Sequence, residues 1–358
     1  MPEVAWFSAL CDDDYEFLGE SDPALASGWD HCRAIAVAAD SYGYDSILLP
    51  SGYGLGIDSV AFAAAVATQT RQIHLLLAVR MGEMVLPQLA RQLATIDQIS
   101  GGRLTINVIS SDVPGETLAG PPRYRRTLES MAALRALMSG QHLEMSGEFV
   151  NLDIDPPRVA TSGPCPPFYF GGLSEEAKEC AAAGADVYLM WPDTPTAVAT
   201  VIGDMRARAE RWGRNLRFGW RSHVIVRETE ADARNAARRL LSKLDPELGR
   251  EIRSRSLDSA SAGVARQAEL RSEADDDGYV GRHLWTGVGR ARSGAGAAIV
   301  GDPDQVRATL GELTEAGVES FILSGYPHLA ECDLFARHVL DRMDHAPLEV
   351  AIQPVAGL

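Results

Sequence analysis

Long apolar runs and an excess of positive charge are both missing from this 358-residue chain. The longest uninterrupted apolar stretch is the segment Val60 to Ala67, whereas a helix that crosses a bilayer needs about 20 apolar residues. The 33 Lys and Arg residues are outnumbered by 49 Asp and Glu residues, which gives a formal net charge of −16. We therefore expect neither a membrane nor a nucleic-acid partner, and an anionic substrate would need a few local arginines to bind it.

Cysteine is scarce and scattered. The chain contains no CxxC pair, and its five cysteines are Cys11, Cys32, Cys165, Cys180 and Cys332. This pattern predicts neither a zinc or other metal site nor a disulfide framework. The first ten residues, MPEVAWFSAL, have no cationic segment ahead of an apolar one, so no secretory signal is expected. These features predict a reduced, cytoplasmic protein.

Short apolar runs alternate with segments of helical period along most of the chain. Strands are predicted at Val4–Ser8, Ser46–Pro50, His74–Arg80, Leu104–Ile109, Phe168–Gly171, Val187–Trp191, Phe218–Val226 and Phe321–Ser324. Helices are predicted between them, for example at Cys32–Ala39, Val60–Gln69, Pro87–Ile99, Tyr124–Met138, Thr194–Trp212 and Pro303–Ala316.

This alternation indicates a parallel sheet, because parallel strands need crossover connections and helices are the usual ones. Eight strands in a chain of this length predict an α/β fold, a (β/α)8 TIM barrel with insertions, since the barrel itself takes about 250 residues. A doubly wound open sheet is the alternative. It is disfavoured because no GxGxxG follows the first strand.

Two stretches interrupt the alternation, and we expect both to be insertions in a single domain, 1–358. Residues 140–166 contain four prolines and alternate apolar with polar residues, which predicts an extended excursion or a hairpin. Residues 221–278 contain no Phe or Tyr or Trp, and the part from about 245 to 285 begins as a charged segment rich in Ser and Ala. A segment so poor in bulky apolar groups buries little surface, so it predicts a mobile arm, either a solvated helical arm or an active-site lid.

Arg221 and His223 are candidates for chemistry because they lie two residues apart in a predicted strand. Period-two alternation puts both side chains on one face. Inside a barrel the pair would form a cationic, titratable pocket suited to an anion and to proton transfer. On the outside, the arginine would instead pair with a helix carboxylate, and the spacing alone leaves both interpretations open.

Two loops are further candidates. Tyr326 and His328 follow the last predicted strand, at the end where barrel enzymes place catalytic groups, although a Tyr-Pro turn is also a common structural feature. Arg290 and Arg292 lie in the glycine-rich segment GRARSGAG (289–296), which suits either an anion clamp or a solvated loop.

A phosphate site is predicted where FYFGGLS (168–174) passes from a strand through a glycine turn into a helix. Free backbone N–H groups at a helix N-terminus favour a phosphate, and Gly171 and Gly172 let it approach closely. Ser174 would serve equally as a helix N-cap. Glu175 and Glu176 in the first turn would repel a phosphate placed near them.

Five segments, in order, resemble the bacterial luciferase-like flavin monooxygenases, specifically the alkanesulfonate monooxygenase group. They are ARQLATIDQISGGRLTINV, PPFYFGGLSEEAKECAAAGADVYLMW, RFGWRSHVIVRETEADA, LWTGVGRARSGAGAAIVGD and GVESFILSGYPHLAE. The resemblance covers nearly the whole chain. It implies a TIM barrel that binds reduced FMN (FMNH2), receives it from a separate NAD(P)H:FMN reductase, and uses O2 to convert a sulfonate into an aldehyde and sulfite. It also implies a homodimer or homotetramer.

The resemblance assigns roles to residues of this chain. Arg221, His223, Arg292 and Tyr326 match positions that line the flavin–substrate pocket. The two arginines would hold the anion, and His223 and Tyr326 would steer protons. Arg292 would enter on the arm, which would then act as a lid that excludes water. Positions that match cofactor-binding residues are Asn107, Tyr124, Gly171, Gly172, Ser174 and Trp191.

Three substrate-side loops depart from the sulfonate enzymes. After strand two, the family's Cys, acid and Asp are replaced by SGYGLGID (51–58), which retains only Asp58. The segment NVISSDVPGETLAGPPRY after strand four is shorter and lacks a His, and residues 80–84 carry an acid and two Met. These departures predict a larger or more apolar substrate than a short alkanesulfonate. Its pocket would be lined by Leu55, Ile57, Met81 and Met84.

Alternative functions stay open beside the sulfonate monooxygenase. The same flavin and O2 chemistry could serve a different biosynthetic or catabolic substrate, but Arg221 and Arg292 disfavour a wholly neutral one. A deazaflavin-dependent oxidoreductase shares the barrel, although the five segments match the sulfonate branch. A non-catalytic flavin-binding protein would need neither His223 nor Tyr326.

Overall fold

The structure, a computed structural model, describes residues 1–54, 56–116, 118–159, 161–254, 261–292 and 294–357. Its strands are β1 (Glu3–Phe7), β2 (Ser46–Leu49), β3 (His74–Arg80), β4 (Leu104–Ile109), β5 (Leu143–Ser146), β6 (Asn151–Ile154), β7 (Phe168–Gly171), β8 (Val187–Met190), β9 (Arg217–Val226), β10 (Tyr279–Val280), β11 (Leu284–Trp285), β12 (Ala298–Gly301) and β13 (Ser320–Ser324). Its α-helices are α1 (Trp29–Ser41), α2 (Ser59–Val66), α3 (Leu86–Ser100), α4 (Pro121–Met138), α5 (Glu175–Gly184), α6 (Pro195–Arg211), α7 (Glu230–Leu240), α8 (Pro246–Ser254), α9 (Ala262–Ser272), α10 (Pro303–Glu315) and α11 (His328–His338).

Eight parallel strands close into a barrel in the order β1-β2-β3-β4-β7-β8-β9-β13, and β13 pairs again with β1. Helices connect the strands, so the prediction of a TIM barrel with insertions is confirmed. Each barrel strand lies within one residue of its predicted bounds at both ends. Among the helices of the described ranges, none is long and apolar enough to cross a bilayer.

The barrel strands form because their side chains are buried on both faces, as parallel strands require. All five residues of β1 and all five of β13 are buried. Alternate residues of β1 serve two layers: Ala5 and Phe7 belong to a small cluster in the barrel interior, whereas Val4 and Trp6 join the larger core between strands and helices.

Both interruptions of the strand–helix alternation contain regular structure. Residues 140–166 include the antiparallel hairpin β5–β6. The Glu129 carboxylate on α4 anchors its turn by accepting from the backbone N–H groups of Glu148, Phe149 and Val150 at 2.8–2.9 Å. The second insertion follows β9 and holds α7, α8, α9 and β10–β12, and β12 pairs with β9 outside the barrel. Residues 255–260 of the predicted arm lie outside the described ranges, and the mobility of the arm stays a prediction.

Candidate active site

Two adjoining cavities open at the carboxyl ends of the barrel strands. The arginine cavity, about 250 Å³, is defined by Arg80, Arg221 and Arg292. The glycine cavity, about 360 Å³, is defined by Gly171 and Gly172. Both cavities are lined in common by Asn107, Leu189 and Trp191, which lie at the boundary between them.

Arg221 lines the arginine cavity from β9 and is only 5% exposed. Its Nη2 donates to Ser324 Oγ at 2.8 Å, it also donates to the carbonyl of Ser222, and its guanidinium carbon lies 4.2 Å from the centroid of the Phe7 ring. Burial lowers the pKa of this guanidinium. Within the described part of the chain, Arg221 forms no ion pair with a carboxylate. It is therefore a buried cation that an anionic ligand would neutralise.

His223, two residues farther along β9, is fully packed beside Arg221 and lines the same cavity. Its Nδ1 lies 2.7 Å from Ser324 Oγ. Burial, together with the charges of Arg221 and Arg292, holds the pKa of His223 well below its usual value, so the imidazole is neutral. Because Ser324 Oγ already accepts a hydrogen bond from Arg221, we infer that its own O–H donates to His223 Nδ1. The N–H of the neutral imidazole is therefore on Nε2.

Tyr326 does not line either cavity but packs directly against His223. The two rings stack with centroids 5.2 Å apart, and His328 contacts the edge of Tyr326 at 4.9 Å. The Tyr326 hydroxyl is buried and has no hydrogen-bond partner among the described residues. Burial raises the pKa of this phenol well above its usual value, so it remains a proton donor at neutral pH.

Arg292 enters the arginine cavity from the insertion after β9. Its Nη1 forms an ion pair with Asp12 Oδ2 at 2.6 Å. Burial alone would lower the pKa of Arg292, but Tyr326, Cys11 and Asp12 outweigh burial and raise it. This guanidinium is thus a permanent cation that already has a partner.

Several residues that line the arginine cavity or hold its side chains in place were not predicted from the sequence as site residues. Cys11 and Asp12 come from the loop after β1, which carries no recognisable motif, and Ser324 ends β13. Cys11 packs against the loop after β2: a Cβ placed on Gly52 would lie 3.0 Å from Cys11 Cβ. A thiol is therefore present in the cavity, although the loop after β2 lacks the cysteine of the sulfonate enzymes. The sequence feature that could have identified Arg80 and Ser324 as site residues is that each is the last residue of a predicted barrel strand.

The prediction that Leu55, Ile57, Met81 and Met84 line the substrate pocket is wrong for the last three of these residues. Arg80 points into the barrel, so the next residue, Met81, points outward into the core between strands and helices. Ile57 packs against that same core, and Met84 lies in a groove between α2 and α3 on the outside. Leu55 lies outside the described residues.

The glycine cavity brings together the predicted phosphate ligands. A Cβ on Gly171 would lie 2.3 Å from the Leu189 carbonyl oxygen, and one on Gly172 would lie 2.7 Å from Ala177 Cβ. Gly172 has φ +143°, which other residues rarely adopt. Only glycines therefore fit at the start of α5.

Polar donors surround these glycines. Ser174 is the N-cap of α5, and its Oγ lies 3.4 Å from the hydroxyl of Tyr124. Arg123, which was not predicted, donates to that hydroxyl at 3.3 Å and keeps a buried Nε without a partner in the described ranges. A guanidinium, two hydroxyls and a helix N-terminus suit the phosphate of FMN.

Comparisons with known proteins agree with this geometry. A family model described as luciferase-like monooxygenase matches residues 17–320. A sulfoquinovose monooxygenase of Novosphingobium aromaticivorans is 60% identical over 356 residues, which cover 97% of this chain and 98% of that protein. A second sulfoquinovose monooxygenase, of Agrobacterium fabrum, is 46% identical over 344 residues, with 95% and 89% covered.

The fold also matches a solved structure. Long-chain alkane monooxygenase superposes with a TM-score of 0.77 at 17% identity, and the match covers 95% of this chain and 90% of that one. The family resemblance seen in the sequence is confirmed by the family model and by the two relatives. The chain belongs to the luciferase-like monooxygenase family and is a flavin-dependent monooxygenase.

Proposed function

We propose that this protein is the oxygenase of a two-component system that uses reduced FMN and O2 to desulfonate an organosulfonate, with sulfoquinovose, a sulfonated sugar, as the leading candidate. The observation that carries the proposal is Arg221, a buried guanidinium without a carboxylate partner in the described structure, in a cavity that adjoins the glycine cavity. The names of the two sulfoquinovose monooxygenase relatives support the substrate.

The overall reaction balances. A monoanionic sulfonate, O2 and FMNH2 give an aldehyde, bisulfite, water and FMN; the C–S bond breaks, one oxygen atom enters the aldehyde and the other enters water. When bound, reduced FMN supplies the two electrons that O2 activation requires. Its phosphate would be held in the glycine cavity by Gly171, Gly172, Ser174, Tyr124 and Arg123.

The residues of the arginine cavity divide the remaining work. Arg221 pairs with the sulfonate, and Arg292 lies in the same cavity as a second cation. Neutral His223 presents the N–H of Nε2, and Tyr326 holds a proton beside it, so the two can supply a proton to the reacting oxygen. Helix α9 closes over Trp191, against which Gly263 packs, and so limits the access of water.

The test is an anaerobic titration with chemically reduced FMN, followed by mixing with O2 and a panel of sulfonates while sulfite is assayed. The panel contains sulfoquinovose and unsubstituted alkanesulfonates. We expect sulfite from sulfoquinovose without any added reductase, and none when NADPH and oxidised FMN replace the reduced flavin. Binding of reduced FMN without sulfite from any sulfonate would overturn the substrate class, and turnover with NADPH alone would overturn the two-component scheme.

A further inference from the structure

Arg80 is a third guanidinium in the arginine cavity, and it has no role in the proposed reaction. It ends β3, is 5% exposed and lines the cavity together with Asn107 and Ser51. Its Nε donates to Glu83 Oε1 at 2.9 Å, whereas its buried Nη1 has no partner in the described part of the protein. A buried donor without a partner is costly unless a ligand or water uses the remaining donor capacity of the group.

The cavity contains three guanidiniums but only two paired carboxylates. Arg292 is paired with Asp12 and Arg80 with Glu83. Arg221 is the member of the three that forms no ion pair in the described ranges. The balance leaves one positive charge, which matches one sulfonate. Arg80, neutralised by Glu83, is therefore suited to a neutral polar group rather than to a second anion.

Arg80 and Arg221 face each other across the barrel. In the closed order of eight strands, β3 and β9 are four strands apart in either direction. A ligand whose sulfonate pairs with Arg221 therefore extends towards the wall that Arg80, Asn107 and Ser51 form. That wall presents a guanidinium, an amide and a hydroxyl.

We propose that Arg80 is a specificity-determining residue that donates to hydroxyl groups of the substrate at the end opposite the sulfonate, and so selects polyhydroxylated sulfonates over alkyl ones. The proposal rests on the proposed function and deepens it. An alkyl chain on this wall would displace water and leave the guanidinium unpaired, and buried polar groups reject such ligands strongly.

The test is calorimetric binding of sulfoquinovose and of hexanesulfonate to the protein loaded with reduced FMN, without O2 so that no turnover occurs. For Arg80→Met we expect sulfoquinovose binding to weaken about tenfold to hundredfold, the value of a hydrogen bond to a charged group. Hexanesulfonate binding should weaken by less than about threefold or become tighter, because its alkyl chain accepts no hydrogen bond and would no longer leave the guanidinium unpaired. The control Arg91→Met removes an exposed arginine of α3 outside both cavities and should change neither affinity.

Arg80→Lys separates charge from geometry. A lysine keeps the charge and the pairing with Glu83 but lacks the second planar donor, so we expect the same selective loss. Should Arg80→Met fail to fold, the Lys variant decides the question.

Equal weakening of both sulfonates, or none, would overturn the assignment. Full affinity in Arg80→Lys would reduce the role of Arg80 to its charge and also overturn it. Failure of the proposed function is distinguishable, because it appears as absent sulfite release by the unmodified protein in the aerobic assay, whereas the Arg80 test reads binding alone.

Discussion

The Tyr326 hydroxyl is buried without a hydrogen-bond partner in the described ranges, next to a histidine that burial keeps neutral. An unpaired buried hydroxyl destabilises a folded protein, and such groups concentrate where chemistry needs them. Stability and turnover should therefore respond to its removal in opposite directions.

Tyr326→Phe is expected to lower kcat about 10²- to 10⁴-fold, the usual loss when a positioned proton donor is removed. Reduced-FMN affinity should stay unchanged because Tyr326 does not line the glycine cavity, and Tm should stay equal or rise. The control is Tyr279→Phe, which removes another buried hydroxyl that has no hydrogen-bond partner among the described residues and belongs to a residue that lines neither cavity. Sulfite assays and thermal unfolding measure both effects, and an unchanged kcat in Tyr326→Phe would remove the phenol from the mechanism.

Asp14 binds His328, the histidine that packs against the edge of the Tyr326 ring. Its fully buried carboxylate accepts from the His328 backbone N–H at 2.8 Å and contacts His328 Nδ1 at 2.7 Å and His31 Nε2 at 2.9 Å. Burial alone would raise the pKa of Asp14, but the two histidines outweigh burial and hold the pKa well below its usual value. Since the folded pKa lies below the unfolded value of about 3.9, the carboxylate stabilises the protein above that pH and progressively less below it.

Asp14→Asn should lower the free energy of unfolding at pH 7 by about 1–3 kcal/mol, because the negative charge is lost and one of the two buried acceptor oxygens becomes an amide donor. The difference between the variant and the unmodified protein should shrink as the pH falls below about 4. Urea unfolding at pH 7, 5 and 3.5 measures it, with Asp30→Asn, an exposed carboxylate of α1, as the control. A difference that grows on acidification would contradict the assigned charge state.

Sequence reasoning selected candidate residues that end predicted strands or lie in recognisable motifs, such as Arg221, Trp191 and Gly171, and the structure places these three around the two cavities. It missed Asp12 and did not single out Arg80 as a ligand. Asp12 lies in a loop without a motif, and its importance comes from a contact with Arg292, 280 residues away. Pairings of that kind depend on how the loops converge in the fold, which neither periodicity nor local spacing encodes.

At the scale of elements, the barrel strands were predictable because burial on both faces gives each one a short apolar run in the sequence. The elements of the insertion after β9 were harder to predict. Helices α7 and α9 begin at polar caps, Thr229 and Ser261, which are local signals that the sequence does contain. What holds α9 to the barrel is polar and long-range: Arg266 contacts Asp193 at 2.7 and 2.9 Å, and Gln267 donates to the Pro192 carbonyl at 2.8 Å.

Asp193→Asn should weaken the attachment of α9. Loss of one partly exposed ion pair with two hydrogen bonds costs about 1 kcal/mol, which raises the equilibrium constant for detachment of α9 about fivefold. We expect limited proteolysis between residues 245 and 277 to accelerate by that factor, and sulfite formed per O2 consumed to fall because water enters the site.

The matched control is Glu273→Gln, which removes an outer partner of the same arginine, Arg266, but leaves its contact with the barrel. Reduced FMN with substrate should protect the segment from cleavage in the unmodified protein. Cleavage that is unaffected by ligand would make the arm a solvated helical appendage rather than a lid.

At the scale of the whole molecule, a net charge of −16 surrounds two cavities that are lined by guanidinium groups. Many arginines outside the two cavities form ion pairs with carboxylates. Arg208, for example, contacts Glu175, Glu179 and Asp204. At the carboxyl ends of the barrel strands, Arg221 has no carboxylate partner in the described ranges. Arg80 and Arg123 are paired with Glu83 and Asp112, but each keeps a buried nitrogen without a partner there. An approaching anion is therefore repelled by the distant surface and attracted only near the cavities.

Repulsion by the acidic surface and attraction by the guanidiniums near the cavities respond differently to salt. At 10 mM ionic strength the screening length is about 30 Å and the acidic surface acts on the approaching ligand, whereas at 150 mM it is about 8 Å and the nearby guanidiniums dominate. The association rate of FMN, measured by stopped-flow fluorescence, should therefore rise several-fold between 10 and 150 mM salt. Riboflavin, which lacks the phosphate, is the matched control and should associate equally fast at both. If FMN association slowed with salt instead, the local cationic field would already extend beyond the acidic surface, and the net charge would have no part in ligand capture.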